Sequence, residues 1–126
     1  MADYYQSEQE INAVVAGFEE CTTAKDGFTH LSHLTVAAYY LLNSTPEEAF
    51  QKMRVGLLRF LNHHGVEPTQ YKDQLTRAWI ERVQSVIEQI DSGASLVAVT
   101  NTVLDQLGTT RITLEGQDKG SDLAIH

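Results

Sequence analysis

Two histidines, His30 and His33, open an apolar segment that reads Phe28-Thr29-His30-Leu31-Ser32-His33-Leu34-Thr35-Val36-Ala37-Ala38-Tyr39-Tyr40-Leu41-Leu42. Residues at i and i+3 of a helix share a face, so two imidazoles so spaced can hold a divalent metal, zinc or iron, or grip a small molecule together. At a helix start the macrodipole disfavours imidazolium, and neutral imidazole is the form that ligates a metal. A metal site needs further ligands, and His64 near the end of a third apolar stripe is the foremost candidate. Beside it stand Glu19 at the end of the first stripe and Tyr71, Lys72, Asp73 and Arg77 at the start of the fourth. Tyr40 lies on the same segment as the histidines and is a candidate ligand contact, although tyrosines at such a spacing are usually core. Arg77 has a plain alternative, an i, i+4 pair with Asp73.

These residues depend on helices to bring them together, and the periodicity is helical almost throughout. Ile11, Val14, Val15 and Phe18 mark a first helix over Ser7–Cys21. Thr29 is a cap for a second running to Asn43, whose apolar positions are dense enough to make it the central one. Ser44-Thr45-Pro46-Glu47-Glu48 combines a hydroxyl cap, proline at the first position and acids in the first turn, and starts a third helix that Gly65 stops. Thr69 is the expected cap of a fourth helix, with Tyr71, Leu75, Trp79, Val83, Val86 or Ile87, and Ile90 as its stripe and Asp91-Ser92-Gly93 as its end. Ser95 to Leu107 forms a fifth, stopped by Gly108. Arg111–Glu115 alternates like a short extended piece, and the final residues read as disordered.

The fold class is therefore all-α: a compact single-domain bundle of four to five antiparallel helices over residues 1–108, with a flexible, partly disordered tail over 109–126. In an up-down bundle the end of the first helix, the start of the second, the end of the third and the start of the fourth lie at one end. That connectivity would gather Glu19, His30, His33, His64, Tyr71 and Asp73.

Composition narrows the function classes. The net charge of −8 over 126 residues disfavours binding to nucleic acid or to an anionic membrane. Cys21 is the one cysteine, which excludes an intrachain disulfide and a cysteine-based zinc site and fits a reducing compartment. The opening residues lack the basic and apolar regions of a signal peptide, and no apolar run reaches the ~18 residues of a membrane span. A cytoplasmic protein is expected. No nucleotide-binding or hydrolase fingerprint occurs, and the paired ExxH motifs of di-iron bundles are missing.

The order Phe28-Thr29-His30-x-x-His33-Leu34-x-x-Ala37-x-x-Tyr40-Leu41, followed by His64-Gly65 and Tyr71 through Trp79, resembles a family of small uncharacterised bacterial proteins. These carry an FxHxxHLxxAxxYL segment and a later YHETxT segment. The resemblance covers roughly residues 15–85 and implies a small helical domain without a named activity. It departs at Tyr71-Lys72-Asp73-Gln74, where Lys72 stands in place of the second segment's histidine. A lysine is a poor metal ligand while protonated, so the change favours a pocket for an anionic molecule. Two readings follow: a helical domain with a histidine-based small-molecule or metal site, or a non-enzymatic interaction module, such as a homodimer, in which the histidines are structural.

Overall fold

Ser7 opens the first helix because its hydroxyl accepts from the Glu10 amide while the Glu10 carboxylate accepts from the Ser7 amide. The result is α1, Glu8–Glu19, in the computed structural model, which describes residues 4–109. Thr29 caps α2, His30–Asn43, through the Ser32 amide. Thr45 and Glu48 form a second reciprocal cap that starts α3, Pro46–His63. Then follow α4, Asp73–Glu88, and α5, Leu96–Leu107, the latter capped by Ser95.

The class is all-α: among the described residues five α-helices pack on one another, and none is long and apolar enough to cross a membrane. Residues His33 to Ala38 are buried without a break, which is why the α2 stripe is so wide: α2 packs against each of the other four helices. The core around it holds Phe18, Phe28, Leu34, Met53, Leu57, Phe60 and Trp79, all nearly without exposure. The expected extended piece at 111–115 and the disordered tail lie outside the described residues.

Three boundaries differ from the sequence reading, the simplest being that α4 ends at Glu88, short of the expected Asp91-Ser92-Gly93. The first helix ends at Glu19, because Cys21 takes a left-handed conformation at φ 59° and lets the Thr22 and Thr23 amides bond back to the Gly17 carbonyl. The fourth helix starts at Asp73, and Thr69 does not cap it. Pro68 pre-sets a one-turn 3-10 segment, Pro68–Gln70, closed by the Tyr71 amide on the Pro68 carbonyl, and the chain then extends through Tyr71 and Lys72 before α4 begins. Gly65, at φ 72°, stops α3 as expected.

The segment before α1 is tied to α5. Asn101, 6% exposed, accepts from the Tyr4 and Tyr5 amides at 3.1 and 2.9 Å and donates to the Tyr5 carbonyl at 2.9 Å. The Tyr5 hydroxyl reaches Thr35 of α2 at 3.0 Å. Asn101→Ala leaves backbone groups without their partner, and is expected to lower stability by about 2 kcal/mol in urea unfolding. A cost under about 0.5 kcal/mol would show that water replaces the tie.

Candidate functional site

The histidines are held by backbone and rings. His30 Nε2 lies 3.1 Å from the Leu107 carbonyl at the end of α5, and its ring meets the Trp79 indole with centroids 4.8 Å apart. His64 Nε2 lies 3.1 Å from the Thr23 carbonyl, with its ring 4.4 Å from Phe60. A carbonyl only accepts, so in both rings Nε2 carries the hydrogen. His33 is 1% exposed and meets Phe28 edge-on at 6.4 Å. Ring contacts from His33 to His64 run through Phe28 and Phe60.

The expected convergence of His30, His33 and His64 on one metal is therefore not what the fold builds. His30 turns toward α4 and α5, His64 toward the loop after α1, and among the described residues no three His, Cys, Asp or Glu side chains gather as a ligand set.

The start of α4 is likewise spent on α3. Asp73 pairs with Arg54 at 3.2 Å, not with Arg77. Arg77 pairs with Glu47 at 3.3 Å and lies over the Phe50 ring at 3.9 Å. Lys72 is half-buried at the cap position and makes no capping bond with its side chain. Tyr71 is half-buried, and burial, with the Asp73 carboxylate beside it, pushes its phenol up to about 12. These residues form a cluster between α3 and α4.

Glu19 and Tyr40 do meet, and in a cleft. Tyr40 is 4% exposed, and its hydroxyl donates to Glu19 Oε2 at 2.5 Å, the short geometry of a charge-assisted bond. Burial first, and then this bond, holds the Tyr40 phenol well above the usual tyrosine range, while the charge of Arg59 pulls the other way. The cleft lies between α1, α2 and α3 and has a volume of about 660 Å³. Asn12, Val15 and Glu19 line it from α1, Tyr39 and Tyr40 from α2, and Lys52, Val55 and Arg59 from α3. Lys52 Nζ sits 5.6 Å from the centre of the Tyr40 ring.

Sequence reasoning named Glu19 and Tyr40 but placed Glu19 beside the histidines, and it missed Lys52 and Arg59. Their signal was spacing: Lys52, Val55 and Arg59 fall at i, i+3 and i+7 of α3, one face of a helix that carries no acid after Glu48.

The raised tyrosines imply a pH dependence with a definite sign. A phenol whose folded pKa exceeds its unfolded value of about 10 gives stability that is complete below pH 10 and is lost as pH rises through the folded value. Tyr71, at about 12, and Tyr40, higher still, both act this way. Urea stability should therefore fall above pH ~10, and Tyr40→Phe should flatten that fall. An unchanged slope in Tyr40→Phe would show that the Tyr40 phenol does not carry the fall.

Fold and cleft together define an all-α bundle with a mixed-charge, tyrosine-floored cleft among its first three helices. No family model, curated protein or solved structure matches this chain.

Proposed function

We propose that this chain is a small-molecule-binding helical domain that takes an organic anion in the cleft between α1, α2 and α3. One observation carries the reading. Lys52 and Arg59, both exposed, line the same cleft as two tyrosine rings, while the ion pairs among the described residues are Arg54–Asp73 and Arg77–Glu47. Among the described residues neither cation is in an ion pair, although Lys52 shares its charge with Glu48 one turn before it, and on a chain of net charge −8 the two make a locally positive wall. The volume is in the range of roughly 300–1,000 Å³ typical of small-ligand clefts. This supports the small-molecule half of the sequence reading and moves it from the histidines to Glu19, Tyr40, Lys52 and Arg59.

Calorimetric titration with 3-phenylpropionate, an anion with an aromatic ring, tests the proposal. Binding should be measurable at low ionic strength, weaken with salt, and fall at least about tenfold in Lys52→Met combined with Arg59→Met. Titration heats no larger than those of buffer would reject it.

A second reading, a docking face for another copy of the chain, has Val55 in its favour, a large apolar side chain 51% exposed on the cleft wall. Light scattering distinguishes the two: a monomer at high concentration leaves the small-molecule reading.

A further inference from the structure

The cleft has an acid as well as its cations, and the acid is held still. Glu19 ends α1, and one of its carboxylate oxygens, Oε2, takes the Tyr40 hydroxyl at 2.5 Å. Tyr40 is itself buried to 4% exposure in the central helix, so the donor that fixes Glu19 has little freedom to move. The other oxygen, Oε1, retains its lone pairs, and an ionised carboxylate accepts only. A ligand group that met Glu19 would have to be a donor, and an ammonium would form the stronger, charge-assisted bond.

Opposite charges that share a cleft usually close on one another. Here they do not. Lys52 sits over the ring face of Tyr40, and neither it nor Arg59 forms an ion pair with Glu19. Both cations come from α3 and the carboxylate comes from α1, so two different helices supply the opposite charges. α1 is brought close to α3 by the Phe18 ring, whose edge lies against Gly56, a residue between the two cations in sequence. The cleft thus holds a fixed acceptor on α1 and, on α3, two cations that form no ion pair among the described residues, with tyrosine rings of α2 lining it as well.

We infer that the ligand of this cleft is a small zwitterion, an amino acid or a close analogue, whose carboxylate meets Lys52 and Arg59 and whose ammonium meets Glu19. The inference rests on the proposed anion-binding reading and adds the second charge. Tyr40 acts as a positioning residue: it orients Glu19 and also offers its ring to the apolar part of the ligand.

Three probes on one carbon frame test it: L-phenylalanine, 3-phenylpropionate, which lacks the amino group, and phenethylamine, which lacks the carboxylate. Amide-resolved NMR titration of the full chain locates binding by the signals of Asn12, Glu19, Tyr39, Lys52 and Arg59. L-Phenylalanine is expected to bind about tenfold more tightly than 3-phenylpropionate, and phenethylamine more weakly than either. Glu19→Gln keeps an acceptor for Tyr40 and should remove the preference for L-phenylalanine over 3-phenylpropionate. Tyr40→Phe should reduce the preference for L-phenylalanine without abolishing it.

Equal affinity of L-phenylalanine and 3-phenylpropionate, or a preference that survives Glu19→Gln, overturns the zwitterion and leaves the anion cleft standing. Cleft signals unmoved by all three probes overturn both. Stronger binding of phenethylamine than of 3-phenylpropionate reverses the assignment of the walls and also counts against the inference.

Discussion

Replacing Trp79 with alanine should cost about 3–5 kcal/mol, a large share of the roughly 5–15 kcal/mol that holds a domain of this size together. The indole is fully buried, with Leu75 and Val83 on the same stripe of α4. It also gives His30 the ring against which that imidazole rests, while His30 reaches across to the Leu107 carbonyl. Truncation therefore opens a cavity where α2, α4 and α5 meet and removes the support of one contact between α2 and α5. Urea unfolding measures the loss. A cost below about 1 kcal/mol would mean that the site collapses without penalty, against the close packing assigned to α4.

The second large effect concerns the approach of α1 to α3, and its sign depends on background. A Cβ added at Gly56 would lie 2.5 and 2.7 Å from Cε2 and Cζ of Phe18. The ring has nowhere to retreat, being stacked on Phe28 at 4.8 Å and tilted against Phe60 at 5.8 Å. Alanine in mid-helix normally gains up to about 1 kcal/mol over glycine, yet overpacking costs about 1–3 kcal/mol. Gly56→Ala should therefore destabilise the wild-type chain. In a Phe18→Leu background the two clashing atoms are gone, and the same substitution should become stabilising. A double-mutant cycle in urea reads the reversal directly. Gly56→Ala acting alike in both backgrounds would show that the close approach is not what requires glycine there.

Helices were legible where the signal was local. Ser7 with Glu10, and Thr45 with Pro46 and Glu48, specify their starts within a single turn, and the fold uses them as written. The start of α4 was less legible because Thr69 has the right chemistry for a cap but follows Pro68, whose fixed φ commits the next residues to a 3-10 turn. The candidate site depended on long-range geometry. An antiparallel ordering of helices places Glu19 near His30, the start of α2. In the fold Glu19 reaches Tyr40, far along the same helix, because Phe18 is anchored between Phe28 and Gly56 and so sets where α1 lies against α2 and α3. His30 and His33 were conspicuous for their type, but a histidine is equally suited to donating one hydrogen bond to a stray carbonyl, which is how His30 and His64 are used. Lys52 and Arg59 share a helix face by spacing, but only the packing of α1 and α2 against that face turns it into the wall of a cleft.

Asn101 joins groups 96 and 97 positions away in sequence. Such a tie can form only after most of the chain has been ordered, so it belongs to the native side of the folding barrier, and Asn101→Ala should accelerate unfolding far more than it slows folding. It also fastens the N-terminal segment to the last described helix, which deprives α1 of an easy way to open by itself. Amide hydrogens of α1 and α5 should then exchange through the same rare opening, as one cooperative unit that spans both ends of the bundle.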